Sequence, residues 1–262
     1  MACGIDPEKA AIYVQSDVKE VLELYLYLNM NAYLGELQRV TSFKEKARKQ
    51  PENVNAGLLT YPTLMAADIL IHRADKVPVG KDQEQNMEMA RKFARRFNTI
   101  YGVEFFPEPQ SYSFGGDAIK VPGLDGSGKM GKSEGNAIYL IDDAATIRKK
   151  VMKAVTDSGP TQPNSEKPEA IADLFTMLKI VSSADTYDYF NEKYNACEIR
   201  YGDLKKQLAE DIVNFTSPIR ERILAYAADT EYMDKVAREG AEKARASADK
   251  TIREVRKIIG FN

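Results

Sequence analysis

The segment Gly126–Ser133, written GSGKMGKS, combines three glycines, two lysines and two hydroxyls. It satisfies Gly-x4-Gly-Lys-Ser, the pattern of a phosphate-binding P-loop. A P-loop leaves a buried strand and opens a helix, so that backbone N–H groups and the helix dipole converge on one anion. The flanks here supply neither part. Pro122 and Gly123 interrupt any strand before the loop, and Gly135-Asn136 signals a turn after it. The next residues, AIYLI at 137–141, read as an apolar β-like run. The loop is therefore expected to join extended segments, with no helix at its exit. Lys129 and Lys132 remain suitable cations for a polyphosphate, on a backbone freed by glycine. Such a loop could close as charge develops on a triphosphate. A solvated hairpin loop with two surface lysines fits these residues equally well.

The elements that must position such a loop can be read from periodicity and punctuation. AAIYVQ, at 10–15, reads as a short buried strand, and Ser16 and Asp17 can cap a helix through VKEVLELYLYL. Short helical pieces are expected around 35–40 and 41–49. Pro62 fits the first turn of a helix running to about Ala74. KVPVG at 76–80 looks like a strand entering a glycine turn, with Asp82 capping the next helix through about Phe97. This alternation predicts a parallel sheet with helical crossovers. After Gly102 the chain turns loop-rich. Asp142 or Asp143 begins a basic helix, and helices are expected over 167–182, 185–195, 202–228 and 231–259, with a break or kink at Pro218. The composition shift near residue 142 divides the chain into an α/β part, 1–141, and an all-helical part, 142–262.

Bulk properties narrow the classes. The 262 residues carry a net charge of −2, with 44% hydrophobic and 29% charged residues. These values suit a soluble globular protein and argue against a uniformly basic nucleic-acid binder. Cys3 and Cys197 lie far apart, and His72 is the single histidine, which leaves no obvious metal cluster or histidine-based triad. No run is long and apolar enough to span a bilayer, and MACGIDPEKA does not read as a signal peptide. The cytoplasm is the expected compartment.

KMGKS resembles the KMSKS signature of class I aminoacyl-tRNA synthetases. NVNAGLLTYPTLMAADIL at 53–70, VPVGKDQEQN at 77–86 and KAVTDSG at 153–159 resemble blocks of the bacterial tryptophanyl-tRNA synthetases, in the same order and spacing. The resemblance runs from Gly4 to near the C-terminus and excludes the tyrosyl enzymes, which lack the TYPxLMAADIL run. It implies a Rossmann-like sheet followed by a helical anticodon-binding domain. It also implies that tryptophan is activated with Mg2+-ATP and passed to tRNA(Trp) by a homodimer whose interface includes the first α/β segments.

An indole offers one N–H donor and a wide apolar face, so its pocket needs one acceptor among apolar walls. Met65 and Asp68 share a helix face, and Asp68 can accept from the indole N–H. Met65, Val77 and Val79 can line the walls, although simple core packing is equally open to them. The resemblance further places Tyr61 and Gln83 near the amino acid and Gly80 against adenosine. It assigns Met130 to adenine, and Lys46, Lys129 and Lys132 to the phosphates, with Ser133 completing the ATP-binding loop. Arg148, Lys149 and Lys150 would suit tRNA phosphates. No residue is assigned to a metal.

The sequence also departs from the family. A HIGH-type signature is absent, since His72 stands in ILIHRAD. Gly131 replaces the first serine of KMSKS, Ser42 stands where glutamine is common, and Lys81 and Asn86 replace a commoner glutamate and histidine. The expected consequences are an incomplete sheet with an exposed edge, and poor activation of tryptophan by this chain alone, as in a synthetase without its N-terminal segment. A non-catalytic nucleotide- or tRNA-binding relative of the same fold is the alternative. A P-loop phosphotransferase is a third reading, which a helix starting at Ser133 would favour.

Overall fold

A computed structural model describes residues 1–112, 120–128, 130–131 and 134–261. The chain divides into two compact units. One holds Met1–Ile5 and Ile119–Met233, the other Asp6–Ala118 and Asp234–Asn262. The expected boundary at 141/142 is therefore not where the compact units part. The last helix also returns to the N-terminal unit, because its apolar face is buried there.

In the unit that contains residues 6–118, α1 (Glu20–Met30), α2 (Leu34–Leu37), α3 (Thr41–Lys49), α4 (Ala56–Leu70) and α5 (Glu84–Tyr101) surround one core. β1 (Lys76–Pro78) and β2 (Gln110–Tyr112) pair in parallel, with Val77 opposite Ser111. Helix α5 provides the crossover between them. It buries Met87, Ala90, Phe93, Ala94 and Phe97 along one stripe, the 3.6-residue period of an amphipathic helix. Gly102 ends it in the left-handed region at φ 65°, and the Val103 N–H donates to the Asn98 carbonyl, a Schellman closure.

The other unit packs α6 (Ala144–Met152), α7 (Glu169–Val181), α8 (Ala184–Asn195) and α9 (Tyr201–Ala228) around a second core. Leu174, Leu178, Leu204 and Leu208 lie at its centre. Asp143 caps α6 by accepting from the Thr146 N–H at 2.7 Å, and Ser183 caps α8 through the Thr186 N–H. The final helix, α10 (Thr230–Ile259), crosses the boundary between units. No described helix is long and apolar enough to cross a membrane.

The helices of the C-terminal half and β1 follow the sequence reading within a residue or two. Several local expectations do not hold. AAIYVQ forms no strand: Val14 is exposed and a 3-10 turn takes over at Gln15–Asp17. A strand needs a hydrogen-bonding neighbour, and α10 presses on this segment instead, with Gly240 against Ile12. AIYLI also forms no strand. Tyr139, Leu140 and Ile141 are exposed, while the Ile141 carbonyl accepts from Arg220 Nε at 3.0 Å. Pro62 lies inside α4, which begins six residues earlier at Ala56 because Asn55 caps it through the Leu58 N–H at 2.9 Å. Asp82 does not cap α5; its carboxylate takes the Gln83 amide instead. Pro218 is accommodated within the continuous helix α9. Strand β2, in the stretch expected to be loop, exists because β1 is beside it.

Candidate functional site

Helix α4 carries the core of the candidate site. Tyr61, Met65 and Asp68 follow one another at four and three residues, so their side chains leave the same face of the helix. Behind them Ala66, Ala67 and Leu70 are fully buried and anchor the opposite face. Met65, Val77 and Val79 pack partly buried against the same core. From α3, Ser42 Oγ and the Tyr61 hydroxyl share a hydrogen bond, and Lys46 Nζ lies 4.9 Å above the Tyr61 ring. A cation over a tyrosine face gains from the ring quadrupole without being neutralised, so it keeps its charge for an anion.

Asp68 is half-buried. Gln15 Nε2 donates to both of its carboxylate oxygens at 2.7 Å. Burial pushes the Asp68 carboxyl above its usual range, while the Gln15 bond and nearby His72 pull it back. His72 lies one turn further along. Its Nε2 meets the Tyr13 hydroxyl at 3.0 Å and its Nδ1 meets Ser247 Oγ of α10 at 3.2 Å. Burial holds the His72 imidazole below its ordinary value, and the same cause, with the Asp68 charge, raises the Tyr13 phenol. The Asp68 carboxylate, bonded to Gln15 and partly withdrawn from water near His72 and Tyr13, can accept from an N–H donor.

Gly80 and Gln83 follow β1. A Cβ at Gly80 would lie 2.6 Å from Asp82 Oδ1, a contact that a shift of the Asp82 carboxylate relieves. Gln83 donates to Asp82 Oδ2 at 2.8 Å and accepts from Asn86 Nδ2 at 2.9 Å, which ties its amide to the start of α5.

The glycine segment belongs to the other unit. Met130 packs against the second core, and its N–H donates to the Val121 carbonyl at 3.3 Å. Gly126 and Gly128 adopt left-handed conformations, at φ 74° and 66°, that L side chains rarely take. Turns and extended backbone follow the segment, and the next helix is α6 at Ala144. The helix that a P-loop requires is thus missing from the described residues after Ser133, and the phosphotransferase reading falls with it.

Residues 1–217 match the family of tRNA synthetases class I (W and Y). The chain belongs to this family. It is 78% identical over 261 residues to the tryptophan--tRNA ligase of Porphyromonas gingivalis strain W83, covering 100% of this chain and 80% of the relative. It is 41% identical over 265 residues to the tryptophan--tRNA ligase of Listeria monocytogenes serotype 4b, covering 78% of that protein. Among solved structures it is similar to tryptophanyl-tRNA synthetase from Campylobacter jejuni complexed with ADP and tryptophan. That match has a TM-score of 0.85 and 33% identity, and it covers 99% of this chain and 80% of the other.

Within this class I synthetase the structure gathers Lys46, Tyr61, Met65 and Asp68 along α3 and α4, with Val77 and Val79 on the same core. It turns Gln83 toward its own neighbours. Lys129, Lys132 and Ser133 lie outside the described residues. Arg148 and Lys150 both have carboxylate partners in the structure. Arg148 forms a two-pronged pair with Glu210 at 2.6 and 2.8 Å, and Lys150 binds Asp142 at 2.6 Å and the Ala137 carbonyl at 3.0 Å. Sequence reasoning missed Gln15, Tyr13 and His72. His72 carried a usable signal, four residues after Asp68 at the end of one helix. Gln15 carried none, being 53 residues away.

Proposed function

We propose that this chain is a tryptophan--tRNA ligase, with Asp68 as the acceptor for the indole N–H of L-tryptophan. One observation carries the reading: a half-buried carboxylate shares a helix face with Met65 and Tyr61, and its oxygens meet an N–H donor already, the Gln15 amide. In the free protein Gln15 satisfies the carboxylate; in the complex the indole N–H takes one of its oxygens.

In the first step a tryptophan carboxylate oxygen attacks the α-phosphorus of ATP. The bond from that phosphorus to the bridging oxygen breaks, giving tryptophanyl-adenylate and pyrophosphate. In the second, a terminal ribose hydroxyl of tRNA(Trp) attacks the activated carbonyl, loses its proton, and AMP departs. Neither step needs a protein nucleophile; both need positioning and charge compensation. Lys46 faces the phosphates from α3, supported by the Tyr61 ring. In the unit that carries the glycine segment, Lys129 and Lys132 are assigned the charge of the departing pyrophosphate, with Met130 at adenine and Ser133 completing the ATP contacts; in the unit that carries α4, Gly80 is assigned to the adenosine and Gln83 to the amino acid. Among the described residues no three acidic, histidine or cysteine side chains form a metal cage. A Mg2+ ion would be held through the ATP phosphates, its ordinary habit with nucleotides, where it supplies charge neutralisation.

We read the chain as a homodimer. Leu22, Leu26 and Met30 repeat every four residues along α1 and are 61%, 52% and 70% exposed, a stripe opposite the buried Val21, Leu24 and Leu28. The cytoplasm, where translation draws on charged tRNA, is the compartment this activity requires.

The test uses the absence of tryptophan from the chain: a bound substrate indole is then the sole indole emitter. Asp68→Ala should weaken tryptophan binding by about 2 kcal/mol, roughly thirtyfold, the scale of one hydrogen bond to a charged acceptor. Equal titration curves for the variant and the parent chain would refute the assignment.

A further inference from the structure

Asn136 follows the glycine segment and is 6% exposed. Its Nδ2 donates to Asp125 Oδ1 at 2.8 Å and to Ser127 Oγ at 3.2 Å, while its Oδ1 accepts from the Gly131 N–H at 3.0 Å. Its backbone carbonyl accepts from the Leu124 N–H at 3.3 Å. One side-chain amide therefore joins the limb that leads into the segment with the limb that leads out. Asparagines in turns usually bond their own backbone two residues on; this one, buried, uses both ends of its amide across a loop.

The surroundings are shaped to admit it. Any side chain at Gly123 would run into Asn136 Nδ2 and come within 2.7 Å of Asp125 Oδ1. The Asn136 amide is also the main cause that holds the Asp125 carboxyl below its usual range, which keeps it an acceptor. Asp125 Oδ1 in turn accepts from Ser127, through N–H at 3.2 Å and Oγ at 2.8 Å. The bond from the Met130 N–H to the Val121 carbonyl ties the segment itself to the limb that leads into it. Beyond this base, the Gly128 N–H donates to Asp173 of α7 at 3.2 Å.

We propose that Asn136 is a positioning residue for ATP: it clamps both limbs of the glycine segment and so gives the segment a fixed base. This rests on the reading of the segment as the ATP-phosphate loop. Asn136 does not touch substrate. It acts by ordering, during folding, backbone that ATP would otherwise have to order on binding. Loss of the clamp should therefore weaken ATP and pyrophosphate and leave tryptophan, held by α4, unaffected.

The experiment compares the full chain with Asn136→Ala, Asn136→Asp and the swapped pair Asp125→Asn with Asn136→Asp. Three quantities are measured: hydrogen exchange at the Gly131 amide, ATP and pyrophosphate affinity by calorimetry, and tryptophan affinity by substrate emission. Each single variant should speed Gly131 exchange and weaken ATP by about tenfold, the scale of one buried hydrogen bond and its orphaned partner, with tryptophan affinity within about twofold. The swapped pair restores an amide opposite a carboxylate and should recover ATP affinity. If Asn136→Ala does not fold, Asn136→Asp and the swap, which keep side-chain volume, decide the matter. Faster exchange with unchanged ATP affinity overturns the proposal, as does a parallel loss of both ligands or a swap that restores nothing. A parent chain that binds neither ATP nor pyrophosphate overturns the underlying reading and the proposal together, whereas parent binding with unchanged variants overturns the proposal alone.

Discussion

Asp68 and His72 stand one helical turn apart, and burial moves their protonation in opposite directions. His72 lies below its ordinary 6.5 because burial disfavours the imidazolium more than Asp68 favours it. The unfolded chain therefore takes up this proton first. The His72 contribution to stability is present above pH 6.5 and is lost as pH falls through the lowered folded value. Asp68 lies above its ordinary 3.8, so its contribution is present below that pH and is lost as pH rises through the raised folded value. His72→Gln should flatten the decline in stability just below pH 6.5 and leave the profile above it unchanged, as read from urea unfolding over a pH series. Identical slopes in the two proteins would show that His72 does not titrate in this way. The composition identified the only histidine, but its partners Tyr13 and Ser247 come from positions 59 residues before it and 175 residues after it. No local pattern links side chains at such separations.

The helices record which physical signals are local. Asn55 and Asp143 cap α4 and α6, and Gly102 closes α5; each works through residues within three or four positions. Such signals are legible in a sequence, and Asn55 sets the start of α4 six residues before Pro62. Helix α10 holds the opposite case. In an exposed helix interior, Gly→Ala stabilises by about 1 kcal/mol. At Gly240 the new Cβ would meet the Ile12 carbonyl, with that carbonyl carbon at 2.6 Å, and the obstacle is backbone that cannot rotate away. Gly240→Ala should therefore lower the melting temperature, by more than a propensity gain can offset. Thermal unfolding followed by circular dichroism checks the sign, and a raised melting temperature would mean that α10 does not lie on the 10–15 segment.

At the scale of the whole molecule, the apolar stripe of α1 has its own consequence. In the proposed homodimer, burying Leu22, Leu26 and Met30 against a second copy would remove exposed apolar surface at about 25 cal/mol per Å2. A charge placed mid-stripe must then be desolvated without a partner. Leu26→Asp should shift sedimentation from dimer to monomer while preserving the helical signal, and a monomeric parent chain would remove the stripe from the interface. Glu23 points elsewhere: Arg256 of α10 grips it through Nε and Nη2 at 2.7 and 2.6 Å, which ties the last helix to the first.

By itself the amino-acid sequence determined the family, the order of the helices and the α4 face that Met65 and Asp68 share. Caps, periodicity and blocks such as TYPTLMAADIL act over a few residues, and neighbours in the chain suffice to express them. Tertiary structure decided the rest. AAIYVQ and AIYLI have strand composition yet form no strand, because pairing depends on a neighbour that sequence alone does not place beside them. The return of α10 to the first core, the Gln15 amide on Asp68 and the Asn136 clamp all join residues far apart in the chain or across a loop. Those partners meet only when packing has fixed the backbone, and their hydrogen bonds gain strength from the burial that the same packing creates.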